Sequence, residues 1–250
     1  MRYGICPLSL VPVYDSPDDT TPLRTQLLYG ECFKILESRK YWSRVRIRLD
    51  GAEGWVRNDQ LSELSEEQYE ACPPGTSAGC AADLVSHCCT PEGLLIPVLL
   101  GSDAHNAPVM EHQFEGARFD PAAGREELVQ TALLYLSSPE MAGGRSPFGI
   151  DAGGLAQMVY KCCGMALKRS PAEQAAQGQA LSFIEESQPG DLAFFDGPDG
   201  VIDHVGLIMQ DNYIIHVNGC VRIDRIDHSG IFNNDLRNYT HPLRVIKQIA

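Results

Sequence analysis

Positive charge is scarce in this chain: 20 Lys and Arg stand against 33 Asp and Glu, a formal net charge of −13 over 250 residues. Binding to a phosphate backbone draws on clustered cations that displace counterions, so this balance excludes nucleic acid as a partner and argues against adhesion to intact anionic polymers. A small or zwitterionic ligand is the expectation. Long apolar runs are missing as well. No stretch reaches the roughly 18 apolar residues of a membrane span, and the start Met1-Arg2-Tyr3-Gly4-Ile5-Cys6-Pro7 lacks the apolar core and small-residue cleavage site of a secretory leader, so a cytoplasmic protein with no membrane contact is expected. Cys-x-x-Cys knuckles are absent too. The nine cysteines are an odd number, and the adjacent pairs Cys88-Cys89 and Cys162-Cys163 suit reduced thiols better than a disulfide framework. Cys72, Cys80, Cys88 and Cys89 with His87 are dense but do not have the spacing of a tetrahedral zinc site, so neither a metal nor any other cofactor is expected.

At this length the chain can bury one large core or two modest ones. Residues 1–64 consist of short apolar runs separated by the turn signals Ser16-Pro17-Asp18-Asp19, Tyr29-Gly30-Glu31 and Asp50-Gly51. Within them Ser43, Val45 and Ile47 alternate with Trp42, Arg44 and Arg46, the period of a half-buried strand, and short strands at this spacing predict a small barrel. Residues 65–124 read as a connecting region. Cys72 to Gly79 is a loop by composition, and Pro97 demotes the apolar run Leu94 to Leu100 to an edge strand or bulge.

From residue 125 onward the pattern changes. Leu128, Val129, Ala132, Leu133 and Leu136 fall at helical spacing up to Ser137-Ser138-Pro139, and a second helix carries Leu155, Met158, Val159 and Cys162 on one stripe before Gly164. The turn Gln188-Pro189-Gly190-Asp191 then opens four strand-like runs: Leu192 to Phe195, His204 to Met209, Tyr213 to Val217 and Val221 to Ile226. Helices followed by an antiparallel sheet predict an α+β domain over residues 125–250.

Two histidines stand out in those runs, His204 and His216. They share one face of a hairpin only if its loop has an odd number of residues; a loop of 210–212 makes them diagonal neighbours, whereas a two-residue turn at Asp211-Asn212 separates them. Upstream, Asp151 fits a helix N-cap, which puts residue 152 in the first turn, where unpaired amides favour an anion.

The segment Gly143-Gly144-Arg145-Ser146-Pro147-Phe148-Gly149-Ile150-Asp151-Ala152-Gly153-Gly154, the run Pro189-Gly190-Asp191-Leu192, the two histidines and the tail Tyr239-Thr240-His241-Pro242-Leu243-Arg244 together resemble the NlpC family of papain-like cell-wall peptidases. Residues 1–64 resemble a bacterial SH3-like domain through Tyr29-Gly30-Glu31, Trp42 and Gly54-Trp55-Val56, and residues 65–124 are where a second SH3-like unit would fall. The resemblance is strongest to cytoplasmic γ-D-glutamyl-L-diamino acid endopeptidases, also called dipeptidyl-peptidase VI, which release L-Ala-γ-D-Glu from recycled murein peptides and recognise the free amine with acidic and aromatic groups. It implies an SH3-like barrel followed by helices packed on an antiparallel sheet. It also implies His204 as the base, His216 as its orienting partner, and substrate contacts from Asp151, Gly153, Arg169 and Ser170.

Departures from the family pattern are as informative. The nucleophilic Cys is Ala152, and the following Ser is Gly153. Pro-Tyr-Leu-Trp-Gly-Gly reads Pro139-Glu140-Met141-Ala142-Gly143-Gly144, and the family's Arg-Asp reads Arg169-Ser170, while Asp151, Arg169, Gln174, His204 and His216 remain. Cys162 and Cys163 lie ten and eleven residues beyond Ala152, about 15 Å along a helix rising 1.5 Å per residue, and cannot supply the sulfur. Alanine offers no route to a covalent intermediate. The reading that follows is an inactive homologue, a pseudoenzyme that binds a wall-derived peptide or a partner. The alternatives are an active endopeptidase carrying an introduced Cys-to-Ala change, and an adaptor working through the SH3-like barrel.

Overall fold

The computed structural model describes residues 2–73, 76, 79–120 and 122–249, so part of the Cys72 to Gly79 loop lies outside the described residues. Its first unit is a barrel of seven strands: β1 (Arg2–Ile5), β2 (Leu10–Tyr14), β3 (Leu23–Leu28), β4 (Cys32–Ser38), β5 (Trp42–Ile47), β6 (Glu53–Arg57) and β7 (Ser62–Leu64), in the order β3-β2-β6-β5-β4-β1-β7. The alternation in β5 does what its period predicts. Ser43, Val45 and Ile47 are buried while Arg44 and Arg46 are exposed. Val45 and Ile47 meet Val11, Val13, Phe33 and Val56 in the barrel core. Gly30 turns the chain at φ +78°, and a Cβ there would stand 2.2 Å from the Asp103 carbonyl oxygen, so only glycine fits this approach.

Between residues 65 and 124, β8 (Val85–Cys89), β9 (Leu95–Leu99) and β10 (Gln113–Glu115) form a separate sheet in the order β10-β8-β9. Pro97 sits on the edge strand β9, where a missing N–H costs least. This sheet has its own core, in which Tyr29 of the barrel packs with Cys88, Val98 and Ala104.

A short two-stranded sheet of β11 (Arg145–Ser146) and β12 (Gly149–Ile150) precedes the last unit, which sets helices against a seven-stranded antiparallel sheet: β13 (Gln179–Leu181), β14 (Leu192–Asp196), β15 (Ile202–Ile208), β16 (Tyr213–Asn218), β17 (Cys220–Asp227), β18 (Gly230–Asn233) and β19 (Asn238–Gln248). The order is β13-β19-β14-β15-β16-β17-β18, and β18 also pairs with β19. Leu155, Met158 and Val159 of the Ala152–Cys162 helix pack with Phe194, Val205, Leu207, Ile215 and Val217 from the sheet. The molecule is therefore an SH3-like β barrel followed by an α+β domain.

One helix is shorter than its apolar spacing predicts. The first helix spans only Leu128–Leu133, buries Leu128, Thr131 and Ala132, and leaves Leu136 46% exposed. Beyond it Ser137 turns to φ 67°, and its N–H bonds the Val221 carbonyl while the Ser138 carbonyl accepts from Val221 N–H. Leu134, Tyr135 and Leu136 still donate to the carbonyls of Thr131, Ala132 and Leu133 in tighter turns, and sheet pairing takes the backbone from Ser137 onward.

Candidate active site

The hairpin β15–β16 turns through residues 210–212, and its register pairs Gly206 with His216, Leu207 with Ile215 and Ile208 with Ile214. The odd loop puts both histidines on one face. Gly206 stands opposite His216, where a Cβ would come within 3.0 Å of the His216 Cβ and 2.6 Å of Ile214. His204 Nε2 lies 3.0 Å from His216 Nδ1, and His216 Nε2 lies 3.1 Å from Asp224 Oδ2 on β17. Because an ionised carboxylate only accepts, His216 carries its proton on Nε2 and accepts on Nδ1, so His204 donates from Nε2. The tautomers are thereby fixed, and His204 Nδ1 is left as a free base.

Asp224 is held from two sides. Arg222 donates to it through Nε at 2.7 Å and Nη2 at 3.0 Å. Burial alone would raise the Asp224 carboxyl, but the His216 and Arg222 hydrogen bonds outweigh it and bring the group to about 2. His204 is pushed well below the usual imidazole range, first by burial and then by His241 and His216. His241 stacks on His204 with ring centroids 4.0 Å apart, and burial followed by the nearby His216 lowers it to about 4. The His204, His216 and His241 ring nitrogens lie within 4.8 Å of one another, the only such group of metal-capable side chains among the described residues; Cys72, Cys80, Cys88, Cys89 and His87 do not assemble into one. Asp224, Arg222 and His241 escape a reading based on the histidine pair. The signal for the first two was the turn Asn218-Gly219 followed by Arg222 and Asp224 in alternation, which register brings under His216.

The Ala152–Cys162 helix packs on the β15–β16 hairpin, and Ala152 at its start touches the same core. Asp151 caps the helix, accepting from Gly154 N–H at 2.7 Å. The same carboxylate accepts from Gly143 N–H at 2.8 Å and is clasped by Arg169 through Nη1 at 2.8 Å and Nη2 at 2.7 Å. Arg169 also donates from Nε to Thr25 Oγ1 of the barrel at 2.9 Å. Residue 152 thus occupies the first turn of a rigidly capped helix, and it is an alanine. Gly153 is tightly enclosed: a Cβ there would sit 2.6 Å from the Arg169 carbonyl oxygen and 3.0 Å from Pro171 Cδ. Ser170 caps the next helix, Pro171–Ala175, in a capping box with Glu173, to which its hydroxyl donates at 2.7 Å. Gln174 Nε2 bonds the Gly153 carbonyl at 2.9 Å. Among the thiols, Cys163 contacts Thr131 Oγ1 at 3.4 Å from the far end of the helix, and Cys162 is buried there with it.

The helix is fixed from the barrel side by buried charge. Glu31 takes Arg145 in a two-pronged ion pair at 2.8 and 2.9 Å and Lys161 at 2.6 Å, while Asp103 takes Lys161 at 2.7 Å. Gln157 donates to Asp50 Oδ2 at 2.7 Å. Between barrel and helix opens a cavity of about 920 Å³, lined by Ala152, Asp151, Gly153, Arg169 and Ser170 together with Asp50 and Trp55 of the barrel.

Comparison with known proteins agrees with this layout. Residues 140–239 match the NlpC/P60 family, and residues 13–61 match the bacterial dipeptidyl-peptidase SH3 domain. The chain joins an SH3 domain to an NlpC/P60 domain. Dipeptidyl-peptidase 6 of Lysinibacillus sphaericus is 36% identical over 112 residues, 44% of this chain and 36% of that one. The γ-D-glutamyl-L-lysine dipeptidyl-peptidase of Bacillus subtilis is 32% identical over 93 residues, 36% of this chain and 31% of that one. The matched stretch thus spans about a third of the length of these curated relatives. In fold, the crystal structure of an NlpC/P60 family protein from Bacillus cereus superposes with a TM-score of 0.76 at 17% identity, covering 98% of this chain and 99% of that one. No helix among the described residues is long and apolar enough to cross a membrane.

Proposed function

We propose that this NlpC/P60 protein binds an amine-bearing murein peptide of the L-Ala-γ-D-Glu-diamino acid type in its cavity without cleaving it. One observation carries the reading: a His204–His216–Asp224 relay is intact in the sheet against which the Ala152–Cys162 helix packs, and the first residue of that helix is Ala152. The relay can hold and orient a base, but acyl transfer in this family's manner also needs a sulfur at residue 152, and no cysteine stands there. Asp151, Gly153, Arg169 and Ser170 are assigned to the wall of the peptide site on the same reading.

The charge of the cavity supports an amine ligand. Its lining carries the carboxylates of Asp15, Asp50, Glu53, Glu140, Asp151, Glu173 and Asp203 against the guanidiniums of Arg24, Arg44 and Arg169. Arg24 engages Asp15, Arg44 engages Glu53 and Arg169 engages Asp151, which leaves four carboxylates without an ion-pair partner among the described residues. Glu173 lies one helical turn from Ser170 and supplies the cavity with a carboxylate close to the position where the family pattern has an Asp. Trp55 supplies an aromatic wall from the barrel.

The test is calorimetric titration of the protein with L-Ala-γ-D-Glu-L-Lys, alongside chromatography for released L-Ala-γ-D-Glu. Saturable binding with no release is expected, and absence of binding overturns the proposal in favour of an adaptor role. The Ala152→Cys protein separates the remaining reading. Brisk cleavage by it would mean that only the sulfur is missing from an otherwise competent endopeptidase, whereas binding without cleavage places the loss in Gly153 and its surroundings too.

A further inference from the structure

We propose that His204, His216 and His241 form a binding site for a divalent transition-metal ion of the zinc type. His241 is the residue that makes the inference necessary. It lies outside the hydrogen-bonded relay, yet it stacks on His204 and is edge-on to His216, with ring centroids 5.5 Å apart. Three imidazoles converge where a two-histidine relay would need two.

Each outer ring is oriented as a metal-binding histidine usually is, with one nitrogen donating to a protein acceptor and the other left as a lone pair. His216 gives its Nε2 proton to Asp224 at 3.1 Å, leaving Nδ1 for a ligand. His241 Nδ1 lies 2.8 Å from Thr240 Oγ1, and the Thr240 hydroxyl is directed to the Ile231 carbonyl oxygen at 3.5 Å. With that hydroxyl accepting from Nδ1–H, His241 Nε2 carries the free lone pair. His204 sits between them, its Nε2 3.0 Å from His216 Nδ1. Zinc–nitrogen bonds of about 2.0–2.1 Å in a tetrahedron separate the nitrogens by roughly 3.3 Å. His204 Nε2 and His216 Nδ1, 3.0 Å apart, are already close to that spacing, and one ring nitrogen from each of the three residues lies within 4.8 Å of the others, with His241 partly exposed. The ion takes the place of the proton between His204 and His216; that proton moves through solvent to His204 Nδ1, so His204 ligates as a neutral imidazole, no net proton is released, and no oxidant or reductant is required. Imidazole suits Zn²⁺, Ni²⁺ and Cu²⁺ and excludes Mg²⁺ and Ca²⁺, which take oxygen ligands. Three protein ligands leave one tetrahedral position open.

Titration of the full chain with ZnCl₂ after chelator treatment, and with CoCl₂ read by visible absorption, tests the site without any peptide, so its outcome is independent of peptide binding. One ion per chain with nitrogen-only, low-coordinate cobalt bands is expected. His241→Phe should weaken zinc binding by on the order of 10- to 100-fold or more, while the double change Cys88→Ser with Cys89→Ser should leave it unaltered. Ring ¹⁵N shifts of the unaltered protein provide a readout that needs no variant. Zinc-induced shifts at His204, His216 and His241 support the site; shifts confined to His87, His105, His112 and His228, a cobalt spectrum dominated by thiolate, or no binding overturns it.

Discussion

The two sides of the candidate site are built in different ways. The hairpin side is wired within its own sheet: His204, His216, Asp224 and Arg222 come from three adjacent strands and are joined in one chain of hydrogen bonds. The helix side borrows its position from the barrel, through Glu31, Asp50 and Thr25. Hydrogen bonds inside a sheet follow from register, so the relay persists as long as the strands pair. Helix placement depends on a buried charge cluster between units, and the close packing around Gly153 leaves no room for a hydroxyl-bearing residue. The helix and the Arg169–Pro171 segment fit together at Gly153 with no space left for a serine side chain.

Removing the barrel's hold should have the largest effect. Glu31→Gln strips the carboxylate from two buried cations, Arg145 and Lys161, and breaking a buried pair by deleting one partner costs about 3–5 kcal/mol. Urea unfolding followed by fluorescence measures it. The pH dependence sharpens the same point. Burial would raise the Glu31 carboxyl, but Arg145 and Lys161 outweigh it and hold the folded group at about 2. The unfolded group titrates near the ordinary Glu value of ~4.3, so stability from this cluster is complete above that pH and falls as pH drops towards 2. Glu31→Gln should flatten that acid limb; a variant as stable as the parent would show that the cluster does not hold the helix.

Gly153→Ser comes next. Its Cβ would lie 2.6 Å from the Arg169 carbonyl oxygen, and the backbone must shift to admit it. Overpacking of this kind costs about 1–3 kcal/mol, measurable as a lowered midpoint in the same unfolding experiment. A neutral result would show that the Arg169–Pro171 segment yields easily, and that a serine in the family's place was lost without repacking. In the Ala152→Cys background the pair of changes then distinguishes a missing nucleophile from a remodelled pocket.

Much of the hairpin side could be read from the chain, and less of the helix side. Parity of the 210–212 loop decides whether His204 and His216 share a face, and the structure carries that odd loop. Alternation over Trp42 to Ile47 likewise identifies the barrel strand and its buried face. Asp224 was harder, because its place under His216 depends on a third strand whose register is set by the tight turn at Asn218-Gly219. His241 was out of reach: it lies on β19, whose pairing with β18 shifts between Ile231 and Phe232, and a bulge breaks the period from which a face is counted. The helix cap at Asp151 follows from local chemistry. Its capture by Arg169, and the burial of Glu31 between Arg145 and Lys161, are contacts between distant residues that no periodicity announces.

The smallest effect expected comes from the third imidazole. His241 packs against His204, His216 and Phe195, with Thr240 at its Nδ1 and Asp224 as the nearby carboxylate that partly opposes the downward shift. Burial, then His216, brings it to about 4 in the folded protein, against ~6.5 for an unfolded histidine. A folded value below the unfolded one means that the unfolded chain takes up this proton first as pH falls. His241 therefore subtracts nothing above about pH 6.5 and increasingly destabilises the fold down to about pH 4. In metal-free protein, the His241 ring resonance should titrate near 4, and His241→Phe should reduce the slope of stability against pH between 6.5 and 4 while leaving the neutral-pH value within about 1 kcal/mol. A His241 ring that titrates at the ordinary value would show that it does not pack against the relay, and the helix side would then be the only half of the site with added structure.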